Sequence, residues 1–170
     1  MAVEFGFHYS PHSASPQSVL EIAEVSSSHF LSLFNCNPAL LERWQLWHGF
    51  VQEYRENSRR FQEWMETQSD ADWEQFLGME SPSSELSEMY WGPSSPFAPS
   101  EARDWAQNWI KVLATLGEDE MRAAFPLDVD PHGALRFDAE AATRDLQSLI
   151  AQAECAAQHA LQMTVDMTIS

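Results

Sequence analysis

An all-α fold, an antiparallel bundle of about four to five helices with one long Pro/Ser-rich crossing segment, is what this sequence predicts. Two heptad seams and one interruption carry the expectation. Leu40, Trp44, Trp47, Val51, Tyr54, Ser58, Phe61 and Met65 recur at 4-3-4-3-4-3-4 spacing, which turns one helix face toward a neighbour. Leu146, Ile150, Ala153, Ala157, Ala160, Thr164 and Met167 repeat the pattern with small residues. Between them, residues 79–99 hold four Pro and six Ser, too long for a passive turn.

The elements follow in order. Residues 1–14 alternate apolar and polar briefly before Pro11 and are read as an irregular tail. Ser15 followed by Pro16 is a helix start, with Val19, Ile22, Phe30 and Phe34 as its stripe and a weak point at Ser26, Ser27 and Ser28. Asn37 and Pro38 repeat the start signal for a long helix over residues 38–68, with Gly49 inside it. Ser69 or Asp70 caps a short helix ended by Gly78. Ser100 caps the next helix, whose seam is Trp105, Trp109, Val112 and Leu116. Residues 126–137 form a loop with a small hairpin, and Asp138 caps the last helix. The 170 residues are read as a single helical domain.

Composition narrows the function classes. The chain carries 26 acidic and 9 basic residues, a net charge of −17, and its only lysine is Lys111. Residues 1–42, 61–102 and 145–170 contain no Lys or Arg. Such a chain repels phosphate backbones and anionic lipid, so direct nucleic-acid binding is not expected. A basic protein partner is the complementary surface. Arg43, Arg55, Arg59 and Arg60 sit mid-helix near Glu53, Glu56 and Glu63, at ion-pairing spacings. The N-terminus shows no signal peptide, and no apolar run reaches membrane-spanning length. With two cysteines only, Cys36 and Cys155, the expectation is a cytoplasmic protein with free thiols.

No motif names a reaction. Asp128, Asp130 and Gly133 match the start of a calcium loop, but position 12 is Ala139 instead of the closing carboxylate. The six His lack metal-ligand spacing with Cys or carboxylates, and His48 and His159 flank the seams. Cys36 precedes a helix start, where a thiol pKa falls, yet no His adjoins it in sequence. The expectation is no enzyme, no cofactor and no metal.

The sequence therefore predicts a non-enzymatic acidic interaction protein, of the adaptor, inhibitor, immunity or chaperone kind, binding a basic partner. Its candidate contact residues lie in the crossing segment: Tyr90, Trp91 and Phe97 as anchors, ringed by Glu80, Glu85 and Glu88. Homo-oligomer formation through the seams is a further expectation. Two alternatives stand beside it. One is a metal-dependent enzyme using residues 128–138. The other is a coat protein on a hydrophobic surface. In the pattern of its amphipathic stretches, over residues 38–77 and 138–167, the chain is similar to phasins, the helical coat proteins of polyester granules. That resemblance carries over no individual residues.

Overall fold

The computed structural model describes residues 3–10, 25–69, 89–90 and 92–169. Over these the fold is mixed α/β and not all-α: six α-helices accompany a three-stranded antiparallel sheet. The strands are β1 (Val3–Tyr9), β2 (Val25–Ser27) and β3 (Met163–Ile169), in the order β2-β1-β3. The helices are α1 (Ser28–Phe34), α2 (Pro38–Arg43), α3 (Gly49–Glu66), α4 (Pro99–Thr115), α5 (Glu118–Ala124) and α6 (Ala139–Gln158).

The expected irregular tail supplies the central strand. Val3, Phe5, Phe7 and Tyr9 alternate with Glu4, Gly6 and His8, the period of a half-buried strand. Phe5 and Phe7 are buried. On the opposite face, His8 Nε2 meets Asp166 Oδ1 at 2.6 Å. Gly6 faces Asp166 across the ladder. A Cβ at Gly6 would come within 2.8 Å of His8 Nε2, so the missing side chain is what lets the imidazole fold across the strand.

The last helix is also shorter than its seam implies. Thr164 and Met167, expected as helical positions, belong to β3. The chain MTVDMTI has the same two-residue alternation as β1. The long second helix is likewise interrupted, between α2 and α3. Both interruptions use one device. Gln45 and Ala160 adopt positive φ of 56° and 54°. The next residue, Leu46 or Leu161, returns its N–H to the carbonyl five residues back, Leu41 at 2.8 Å and Ala156 at 2.9 Å. This is a Schellman-type helix stop. Leu46 and Leu161 are buried, so each stop turns a leucine inward. The continuous amphipathic helices behind the phasin-like pattern are therefore broken in both stretches.

Several start signals operate as read. Asn37 accepts from Ala39 N–H at 3.1 Å with Pro38 following, and Asp138 accepts from Ala141 N–H at 3.0 Å. Others differ. Ala98 stands at the N-cap of α4, with Pro99 as its first residue, and Gly49 opens α3. The expected helix start at Ser15 and Pro16 and the short helix over residues 70–77 lie outside the described residues.

The helices cover the Phe5 and Phe7 face of the sheet. Phe7 lies 5.4 Å from Phe30, 5.9 Å from Phe50, 5.8 Å from Trp105 and 6.4 Å from both Phe34 and Phe97 between ring centroids. Its carbonyl accepts from the buried Gln152 amide of α6 at 2.8 Å. α4 and α6 lie side by side. α4 buries Trp105 and Trp109, while α6 buries Ala142, Ala153 and Ala156, so bulk on one helix meets small residues on the other.

Phe7→Ala is expected to lower stability by about 3–5 kcal/mol and Phe7→Leu by about 1–2 kcal/mol, read from urea unfolding midpoints. Gln45→Gly and Ala160→Gly are each expected to raise stability by about 0.5–1 kcal/mol, because glycine adopts positive φ without the Cβ penalty. Thermal melts of the single variants check this.

Candidate functional site

Of the six residues picked out by sequence, the structure describes two. Phe97 is 7% exposed and stacks on Phe50 at 4.7 Å. Its backbone bridges Met163 in both directions, at 2.9 and 3.0 Å. It is a core residue pinning the crossing segment to β3, which corrects its reading as a partner anchor. Tyr90 half-buries its ring 4.6 Å from Phe61. Burial raises its phenol pKa, with the nearby Tyr54 hydroxyl adding to the rise. Trp91, Glu80, Glu85 and Glu88 lie outside the described residues.

Tyr90 belongs to a groove of about 390 Å³. α3 forms one wall with Tyr54, Ser58, Phe61, Gln62 and Met65, and Met89, Tyr90 and Met167 form the rest. The α3 positions recur at spacings of four and three, so one stripe of the helix faces the groove. Tyr54 is held by its hydroxyl, which donates to Asn35 Oδ1 at 3.2 Å, and its ring meets Phe5 and Phe34 edge-on at 4.9 and 5.3 Å. Met65 is 37% exposed. Deeper in, a cleft continues past Glu53 and Asp166. Glu53 Oε1 accepts from the backbone N–H of Ser95 at 2.9 Å and from its hydroxyl at 3.0 Å, fixing the crossing segment to α3.

The three methionines are what sequence reasoning missed. The sequence places Met65 on a helical seam and Met167 on a helix that ends before it. The available signal was chemical: three flexible thioethers, each next to a carboxylate residue in the chain, as Met65 with Glu66, Met89 with Glu88, and Met167 with Asp166. Methionine adapts its shape to varied apolar partners.

The groups with possible chemistry are otherwise engaged. Ser27, His29 and Asp145 come together: Ser27 Oγ donates to Asp145 Oδ2 at 2.5 Å, and His29 Nδ1 lies 2.9 Å from the same oxygen and 3.1 Å from Ser27 Oγ. A proton relay needs the hydroxyl and the carboxylate on different ring nitrogens; here both meet Nδ1. Ser27, 5% exposed, also caps α1 by accepting from His29 N–H at 3.0 Å. The cluster joins β2 and α1 to α6.

Cys36 is fully buried, and burial pushes its thiol up to about 12. This reverses the expectation of a lowered thiol pKa: the Arg55 guanidinium, bonded to the Cys36 carbonyl and lying 5.3 Å over Trp47, opposes the rise without cancelling it. Cys155 Sγ stands 3.8 Å from His159 Nδ1, but that nitrogen donates to the Cys155 carbonyl at 2.9 Å and cannot also take the thiol proton. His48 stands at the N-cap of α3, where its ring stacks on Phe50 at 5.8 Å and burial lowers its pKa.

In the acidic loop, Asp130 accepts from His132 and Ala134 N–H, both at 2.9 Å, and these bonds hold its carboxyl below the usual range, Ala134 most strongly. Val129 and Leu135 bridge across it, the small hairpin the sequence suggests. Among the described residues, no group of three or more His, Cys, Asp or Glu is placed to hold a metal ion. None of the described helices is long and apolar enough to cross a membrane.

Comparison with known proteins returns no matching family model, no matching curated protein and no matching solved structure.

The two thiols differ in accessibility, since Cys36 is buried and Cys155 half-buried. A thiol titration of native protein with an aromatic disulfide is expected to show Cys155 reacting at least about tenfold faster than Cys36. Cys155→Ser should remove the fast phase, and denaturant should equalise the two.

Proposed function

We propose that this chain is a non-enzymatic interaction protein that docks a basic protein partner at the methionine and tyrosine groove beside α3. The groove is the observation that carries the reading. It combines rigid aromatic walls, Tyr54, Phe61 and Tyr90, with adaptable methionines, Met65, Met89 and Met167. Aromatic groups are the usual anchors of a protein interface, and methionines fit themselves to whatever is anchored.

Charge selects the partner. Six of the eight lining residues, Phe61, Gln62, Met65, Met89, Tyr90 and Met167, come from the stretches 61–102 and 145–170 that contain no Lys or Arg. The net charge of −17 draws a cationic protein in from a distance. On α3, Arg59 is engaged by Glu56 and Glu63, so it offers little repulsion to that approach.

The test is affinity capture with the full chain as bait, washed at about 0.1 M and about 1 M salt, since exposed charge pairs are screened at the higher concentration. A basic protein is expected to be held at low salt and released at high salt. Met65→Glu, which puts a charge on the groove wall, should weaken that capture about tenfold or more. Leu127→Ser, at an exposed site outside the groove, should leave it unchanged. Capture that ignores Met65→Glu, or that selects acidic proteins, overturns the reading.

A further inference from the structure

The groove beside α3 changes chemistry at its inner end. Tyr54, Met89, Tyr90 and Met167 line both the groove and the cleft behind it, so the two form one passage. Glu53 and Asn57, one turn apart on α3, line the cleft and not the groove. The cleft offers about 20 Å³, room for about one water-sized group.

Glu53 is half-buried. Among the described residues, the donors that reach its carboxylate are neutral: the Ser95 N–H, 2.9 Å from Oε1 and 3.1 Å from Oε2, and the Ser95 hydroxyl, 3.0 Å from Oε1. A carboxylate accepts about four hydrogen bonds, so Glu53 retains capacity for another donor. All nine Lys and Arg of the chain lie among the described residues, and none of them pairs with Glu53. Asp166 also borders the cleft, but its carboxyl meets His8 at 2.6 Å. Glu53 thus places a negative charge, unmatched by any Lys or Arg of this chain, at the inner end of an apolar passage.

We propose that the cleft is a subsite for one lysine side chain of the basic partner. The ammonium, about the size of a water molecule, bonds to Glu53 and to the Asn57 side-chain carbonyl. The methylene stem lies along Met89, Tyr90 and Met167. A lysine stem covers apolar surface readily while its head stays with polar groups, and the Tyr54 and Tyr90 rings attract a cation as it passes. Arginine is the poorer occupant, because its planar guanidinium with five donors exceeds a one-water space. This rests on the groove reading above and names the side chain that enters.

The test uses the full chain with isotope-labelled methionine methyl groups, so that Met65, Met89 and Met167 report occupancy of the groove by NMR. The probes are three capped pentapeptides with Lys, Arg or norleucine between two leucines, and butylammonium chloride. The Lys peptide is expected to bind about tenfold more tightly than the norleucine peptide, and more tightly than the Arg peptide. Glu53→Gln keeps an oxygen for Ser95 and changes the net charge of −17 by one unit. It should abolish the preference for Lys over norleucine and leave norleucine binding unchanged. Asn57→Ala, which leaves the Ser95 contacts intact, should reduce the preference and decides the matter if Glu53→Gln does not fold. Equal binding of Lys and norleucine, or a preference that survives both substitutions, overturns the subsite and leaves the groove reading standing. Arg binding as tightly as Lys overturns the size argument for lysine. Butylammonium binding as tightly as the Lys peptide overturns a protein as the source of the cation. If no peptide shifts any of the three methyl signals, this inference falls together with the groove reading.

Discussion

Phe7 holds the two layers of this molecule together through both its side chain and its backbone. Its ring meets rings from α1, α3, the crossing segment and α4, while its carbonyl takes the amide of Gln152 from α6. A single strand residue thereby touches five separate stretches of chain. Burying a glutamine is costly unless its polar atoms are bonded; here the amide nitrogen bonds to the residue at the centre of the aromatic cluster, while Oε1 has no hydrogen-bond partner among the described residues. The position of the helices over the sheet follows from that contact, and the groove does too. α3 is drawn against Phe7 by Phe50, and the α3 residues further along the same helix then face Met167 of β3.

The sequence was most legible where local chemistry decides. The Asn37 and Asp138 caps, the burial of Trp105 and Trp109, and the hairpin at Val129 and Leu135 were all readable from short signals, because each depends on neighbours within a few residues. The sheet was not. β1 and β3 both show clean alternation, but each is only seven residues long. In β3 the residues Thr164 and Met167 also fit a heptad that begins at Leu146. A period of 3.5 and a period of 2 share positions over so short a run, and the longer match absorbed the shorter one. The helix stops at Gln45 and Ala160 were hidden for a different reason. Neither is the glycine that usually marks a left-handed residue; the burial of Leu46 and Leu161 is what stabilises them.

The candidate groove was only partly legible for similar reasons. The stretch 79–99 drew attention because aromatics in a Pro- and Ser-rich segment need a surface to lie on. Tyr90 lies at the groove, whereas Phe97 finds its surface in the core itself. Sequence position alone cannot separate the two, since the difference is how deeply each ring is covered: Phe97 packs on Phe7 and Phe50, Tyr90 on Phe61 at the groove. Met65 and Met167 are brought together by α3 and β3, a hundred residues apart in the chain, so no local pattern joins them.

The ladder that joins β1 to β3 links residues at opposite ends of the described chain: His8 and Asp166 stand 158 positions apart. On a ribosome adding about 5–20 residues per second, β1 waits roughly 10–30 s for its partner. Throughout that interval Phe5 and Phe7 sit on a short alternating strand with one ladder unfilled, the kind of segment that other nascent chains and holding chaperones bind. Strand pairing at this separation is a high-contact-order step that must follow the local helical contacts. The vulnerable period of this protein is thus its synthesis, when the acidic charge spread along the emerging chain opposes aggregation.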